Sequence, residues 1–240
     1  MSASYRLVGV IGGMGPDATI DFMAKVVEMT PAHCDQDHVR MLVEHNPRIP
    51  SRQSAMQGEG NDPGPVIAEM AQRLEAGGAD FIVMPCNAAH AWQNDAVAAT
   101  SIPFISIIEE SVAKALQSAP DNGAIGLLTT PGCFAAGLYQ QELSYAKREI
   151  VLQTPDELAE AMSLIDRIKA GDKSEPVVTG MCSLAENLLS RGATVLIAAC
   201  TEIPLVLNQS MFTVPLISST DVLAEKTVAL ALLHEPLPRK

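Results

Sequence analysis

Residues 73–87, RLEAGGADFIVMPCN, decide the fold, because residues 187–201, NLLSRGATVLIAACT, lie over them without a gap. Leu74 falls on Leu188, Gly78 on Gly192, Ala79 on Ala193 and Cys86 on Cys200. Each stretch reads as the end of a helix, a glycine that stops it, and an apolar strand running into a cysteine. Two further pairs match in the same order at nearly the same offset: VGVIGGMGP (8–16) with IGLLTTPGC (125–133), and IPFISIIEE (102–110) with VPLISSTDV (214–222). Helix–glycine–strand units resemble one another in general, but that does not explain a cysteine at the same register in both. The matches predict two similar halves.

Around these pairs the periodicity alternates. YRLVGVI (5–11) is an apolar run stopping at glycines, and the helix spacing that follows puts Ala18, Phe22, Val26 and Met29 on one face. RMLVEHNP (40–47) reads as a strand, and a Gly/Pro/Asp-rich loop at 57–65 leads into a helix with Val66, Ile67, Met70 and Leu74 inward, closed by Gly77 and Gly78. Further strands are expected at 80–85, 103–107, 124–129, 193–199 and 213–217, each followed by helix-like sequence. Continuous apolar strands alternating with helices indicate an α/β fold whose parallel sheets are buried on both faces. The expected architecture is two pseudo-symmetric lobes with mainly parallel sheets and an active site in the cleft between them. The offsets place a first lobe at 1–110 plus 212–240 and a second at 111–211.

Composition narrows the function. Of 240 residues, 48% are hydrophobic, enough for a substantial core. No apolar run approaches the roughly 20 residues of a bilayer span. The N-terminal MSASYRLVGVIGGMGP lacks the charged start and cleavage site of a signal peptide, so a cytoplasmic protein is expected. A formal charge of −12 argues against nucleic acid or an anionic membrane as partner. It also means that an anionic substrate needs a few local cations. The cysteines, at 34, 86, 133, 182 and 200, are odd in number and widely spaced, as expected of reduced thiols.

With similar halves, Cys86 and Cys200 both fall at the carboxyl ends of parallel strands, where open α/β sheets bind ligands. Two opposed thiols suit one task well. A racemase without a cofactor must take an α-proton from one face of a carbon and return one to the other. One thiolate and one thiol can do this, their roles exchanging with substrate hand. The unperturbed thiol pKa of about 8.5 lies within reach of neutrality.

The segments IGGMGPDAT, DQDHV, NPRIPSR, GADFIVMPCNAAHAW, IPFISIIEE, IKAGD, RGATVLIAACTEIPLVL and VPLISSTDVLAE together resemble the aspartate/glutamate racemase family, in its aspartate racemase branch. They run in the family's order over nearly the whole chain. The resemblance implies Cys86 and Cys200 as the acid/base pair, activity without pyridoxal phosphate or metal, a small amino-acid substrate, and a homodimer. It also implies Arg52 and Lys169 as the cations that hold a dicarboxylic substrate, and Asn87 and Thr201 as carboxylate donors beside their thiols. Met14 borders the site in this reading, and Thr130 is a further candidate.

Four positions depart from the family: His45 and Arg48 stand where it often has Asn and Gln, and two more bear on the substrate hydroxyls. Ala88 stands where it usually has Thr in Cys-Asn-Thr, and Cys133 stands where Thr is common. Two hydroxyls are thus missing, which bears on aspartate specificity more than on racemisation. Other readings remain open at this stage. GMGPDA (13–18) formally fits a dinucleotide-binding turn. Cys86 and His90, four apart, could form the nucleophile–base pair of a hydrolase. Hydantoin racemase, maleate isomerase and arylmalonate decarboxylase resemble the same scaffold, and a non-catalytic binder of acidic amino acids would keep the same pocket. His33, Cys34 and His38 lack a recognised metal-ligand spacing.

Overall fold

The computed structural model describes residues 5–238. The first four residues, part of the stretch inspected above for a leader, lie outside that range. The chain forms two compact units, residues 1–107 with 220–240 and residues 108–219.

The first unit begins with strand β1 (Val8–Gly12), helix α1 (Pro16–Met29) and strand β2 (Met41–His45). Helices α2 (Arg52–Met56) and α3 (Gly64–Ala76) lead to β3 (Phe81–Val83), and α4 (Gln93–Ala99) leads to β4 (Phe104–Ile105). The sheet order is β2-β1-β3-β4, all parallel. β1 and β3 are buried along their whole length, as central strands covered on both faces must be, while β2 at the edge is only partly covered. Ala18, Phe22 and Val26 of α1 are buried as expected, but Met29, the last residue of the helix, is 38% exposed. On α3, Ile67, Met70 and Leu74 are inward together with Ala71, and Val66 is half-buried.

The second unit begins one residue into helix α5 (Ile107–Ser118), followed by β5 (Ala124–Thr129), α6 (Pro131–Ala135), α7 (Leu138–Tyr145) and β6 (Ile150–Leu152). Then come α8 (Pro155–Lys169), α9 (Glu175–Ser190), β7 (Ala193–Ala199) and β8 (Leu216–Ser218). The order β6-β5-β7-β8, again parallel, repeats that of the first sheet strand for strand. α8 starts on a capping box in which Thr154 and Glu157 satisfy each other's backbone N–H. Its inward residues Leu164, Ile165 and Ile168 join Met181, Leu184 and Leu188 of α9 in one core cluster, each contributing roughly 1.5–3 kcal/mol by burial.

The residues that match in sequence make matching contacts. A Cβ on Gly9 of β1 would meet Ala79 Cβ at 3.0 Å and Leu74 Cβ at 3.2 Å. One on Gly126 of β5 would meet Ala193 Cβ at 2.9 Å and Leu188 Cβ at 3.3 Å. In each unit, therefore, the helix before the cysteine strand presses the same Leu and Ala against a bare position on the central strand. Gly78 and Gly192, which end those helices, both have the positive φ (89° and 100°) that only glycine adopts without strain.

Strand β8, expected with a first lobe resuming at residue 212, instead pairs with β7 in the second sheet. The chain changes unit after Ser219, whose hydroxyl donates to Ala198 O at 2.9 Å. The final helix, α10 (Ser219–Ala231), then groups with the first unit. There Asp221 pairs with Lys25 at 2.8 Å, and Arg6 Nη1 donates to Leu230 O at 2.5 Å. No helix among the described residues is long and apolar enough to cross a membrane.

Candidate active site

In each sheet the chain steps from its first strand to a neighbour on one side and then crosses to the other side. The loops leaving β1 and β3, and those leaving β5 and β7, therefore flank the point where strand order reverses. Crevices open at the carboxyl ends of strands at such points. Cys86 follows β3 and Cys200 follows β7, so each unit carries one cysteine beside its own reversal point.

Pro85 cannot extend the ladder because it has no N–H to donate. The chain turns there, with the Cys86 N–H donating to Met84 O at 2.7 Å. Cys86 is only 7% exposed and belongs to an apolar cluster with Met14, Ile49, Met70 and Met84. The carbonyl of Cys86 is held by His90, whose Nδ1 lies 2.8 Å away. The other ring nitrogen, Nε2, accepts the Ile107 N–H at 3.1 Å. A backbone N–H can only donate, so the single proton of the neutral ring sits on Nδ1 and points to the carbonyl. Burial lowers the His90 pKa to about 4. His90 thus has no lone pair for the Cys86 thiol, and the nucleophile–base pair conceived from the spacing does not form. Its function is to fix the turn.

Linkage turns this buried imidazole into a stability term. The unfolded chain takes up the proton as pH falls through 6.5, while the folded ring resists until about 4. Stability is therefore full above 6.5 and declines between 6.5 and about 4, by on the order of 3 kcal/mol. The urea midpoint should fall as pH drops from 7 to 4.5, and the fall should be shallower in His90→Asn. Equal slopes in the two proteins would remove His90 as its source.

Around Cys86, Asn87 is buried (2% exposed) and Ala88 opens a short 3-10 turn to Trp92. Met14, expected at the border of the site, is itself 2% exposed and packed in the core. In the loop after β1, Gly13 N–H is taken by Thr19 Oγ1 at 2.8 Å. Arg52 is the first residue of α2, which Ser51 caps through its hydroxyl. One nitrogen of the Arg52 guanidinium, Nη1, donates to Pro50 O at 3.0 Å and, more weakly, to Ile49 O at 3.4 Å. Among the described residues it pairs with no carboxylate.

The second unit surrounds its thiol differently. Cys200 is 8% exposed, and its S–H donates to Glu202 Oε2 at 2.9 Å. Thr201, 1% exposed, donates its hydroxyl to the same oxygen at 3.3 Å. Burial pushes the Cys200 thiol well above its usual value, the Glu202 charge adds to this, and the Lys169 cation pulls against it. Lys169 ends α8 and lies 4.0 Å from Asp166, an exposed pair of little energetic weight. Thr130 caps α6 by accepting the Cys133 N–H at 3.3 Å, and Cys133 is 1% exposed. In this unit, then, Cys200, Thr201 and Lys169 share one electrostatic neighbourhood, and the hydroxyl of Thr130 is spent partly on its own helix. Glu202 is the residue the sequence reading passed over. It aligns with Ala88 in the repeat, and an acidic residue inside the apolar run ACTEIPLVL was the available signal.

Comparison with known proteins places the chain among racemases by sequence and by fold. RacX of Bacillus subtilis, a broad specificity amino-acid racemase, is 29% identical over 234 residues, spanning 95% of this chain and 100% of its own. The solved structure of Picrophilus torridus aspartate racemase superposes with a TM-score of 0.85 at 29% identity, covering 97% of this chain and 96% of its own. An aspartate racemase homologue from Pyrococcus horikoshii shares the fold, with a TM-score of 0.74 at 22% identity over 94% of this chain and 99% of its own. The family model for Asp/Glu/hydantoin racemase matches residues 11–227, and the chain belongs to that family of isomerases.

Proposed function

We propose that the protein racemises an acidic amino acid, aspartate first and glutamate second, without a cofactor. Cys86 and Cys200 each serve one face of the α-carbon. The observation that carries this reading is the equivalence of the two cysteines: each follows the third strand in chain order of a sheet whose strand order the other sheet repeats. Binding alone needs neither thiol, and a hydrolase needs a base that His90 does not supply.

In the proposed step, one thiolate takes the α-proton while the other thiol gives its proton to the opposite face. The enzyme's proton count is unchanged, and the two sulfurs have exchanged states. The α-proton is very weakly acidic, so the developing carbanion must be stabilised by fixed donors and cations at the substrate carboxylates. Arg52 and Lys169 are assigned to those carboxylates, with Asn87 as a neutral donor. Ala88 and Cys133 leave two hydroxyls fewer there, which favours a broader substrate range.

The test is proton exchange. Each L-amino acid is incubated with the protein in D₂O and the α-proton signal is followed by NMR, with chiral chromatography of the product. Loss of the α-proton signal from L-aspartate or L-glutamate together with appearance of the D-enantiomer is expected. Absence of exchange with every amino acid tried would end the racemase reading.

A further inference from the structure

The two thiols are unlike in one respect that the repeat does not require. The residue two places after Cys200 is Glu202, and the residue two places after Cys86 is Ala88. Glu202 is 4% exposed, a carboxylate placed where burial is costly unless its oxygens are satisfied. Its Oε2 is satisfied by the two side chains before it, the Cys200 S–H at 2.9 Å and the Thr201 O–H at 3.3 Å. The backbone supports the pose, since Cys200 O accepts the Ile203 N–H at 3.1 Å and closes a turn that folds Glu202 back on the thiol. On the first unit's side, the group four places after the thiol, His90, is neutral and engaged with backbone at both nitrogens.

We propose that Glu202 is a positioning residue that holds the proton on Cys200, so that in the free enzyme Cys200 is the thiol that donates and Cys86 is the sulfur that accepts. This rests on the reading of the two cysteines as acid and base, and it adds which of them begins in which role. The first half of a cycle moves the substrate α-proton to the Cys86 thiolate and the Cys200 proton to the product. It leaves a Cys200 thiolate against the Glu202 carboxylate, two negative charges in contact. That state is the unfavourable one, so product release is followed by reset: Cys86 loses its proton to solvent and Cys200 takes one up. The other charged or titratable groups acting on Cys200 are Lys169, whose cation opposes Glu202, and Tyr139, whose buried phenol faces both Cys133 and Cys200. Neither lies as close to Cys200 in sequence as Glu202, and among the described residues it is Glu202 that accepts its proton.

The asymmetry cannot be read from kcat/KM for the two enantiomers. Their equilibrium constant is unity, so the two values stay equal in any variant. The thiol itself must be titrated. With cysteine labelled with ¹³C at Cβ, the full chain is followed by NMR from pH 5 to 11 without substrate. The Cys200 signal is assigned by its loss in Cys200→Ala. In the wild type Cys200 should titrate above the ordinary thiol value of about 8.5. In E202Q its midpoint should fall by at least about one pH unit, tenfold in proton affinity. An unchanged Cys200 midpoint in E202Q, or a wild-type midpoint at or below the ordinary value, overturns the proposal. Should E202Q not fold, E202D decides. It keeps the charge but draws it back from the sulfur, so it must lower the midpoint by a smaller amount, and no change again overturns the assignment. The titration needs no turnover, so failure of the racemase reading shows in the D₂O experiment and failure of this one shows here.

Discussion

Replacement of either Cys86 or Cys200 by alanine is expected to lower racemisation of aspartate by at least about 10³-fold, with the fold retained. A positioned acid or base typically contributes 10²–10⁴-fold, and inversion needs both faces served in the same passage. Removing one thiol leaves the carbanion to be reprotonated by chance water on that face. The fold should survive because the loss is small. Each sulfur is nearly buried, yet each sits beyond the end of a strand rather than within the ladder. Circular dichroism and the urea midpoint check the fold, and chiral chromatography checks the rate. Full activity in either variant would refute a two-base mechanism. Retained activity in Cys200→Ala alone would return Cys86 to the role of a lone catalytic thiol.

Arg52→Ala should be the next most damaging change, lowering kcat/KM for aspartate by about 10²-fold. Losing one partner of a desolvated charge pair costs roughly 2–5 kcal/mol, and about 2.7 kcal/mol corresponds to that factor. The guanidinium is oriented before substrate arrives, because Nη1 is tied to Pro50 O and α2 begins at this residue. Preorganisation of this kind keeps the ordering cost of binding low. Arg52→Lys keeps the charge but loses the planar fork, so it should recover only part of the activity. Thermal stability should change little, since among the described residues the side chain bonds to carbonyls just two and three residues away. If Arg52→Ala binds and turns over aspartate as the wild type does, another cation holds the substrate carboxylate.

Much of this molecule is legible from local pattern. The matched pairs Leu74/Leu188 and Ala79/Ala193 are visible in the chain because each does the same packing work against Gly9 or Gly126, and Gly78/Gly192 because each ends its helix at a positive φ. Strands buried on both faces must be apolar throughout, which is why β1, β3, β5 and β7 stand out. Edge strands carry no such demand. β6 has three residues, one of them buried, and no periodicity marks it. Met29 obeys the helical spacing and still faces solvent, because it is the last residue of α1.

What the sequence determined by itself is the repeated unit: apolar strands in parallel order, a glycine-closed helix before each cysteine, and the paired thiols, all of them consequences of near-neighbour sterics and burial. Tertiary structure alone decided the rest. It joined β8 to the second sheet while sending α10 to the first unit, a matter of strand pairing and of contacts such as Asp221 with Lys25. It also took the lone pair of His90 for the Ile107 N–H and turned Glu202 onto the Cys200 thiol. Spacing shows which groups can meet. Which proton is held where depends on the third group that reaches them, and that comes from elsewhere in the fold.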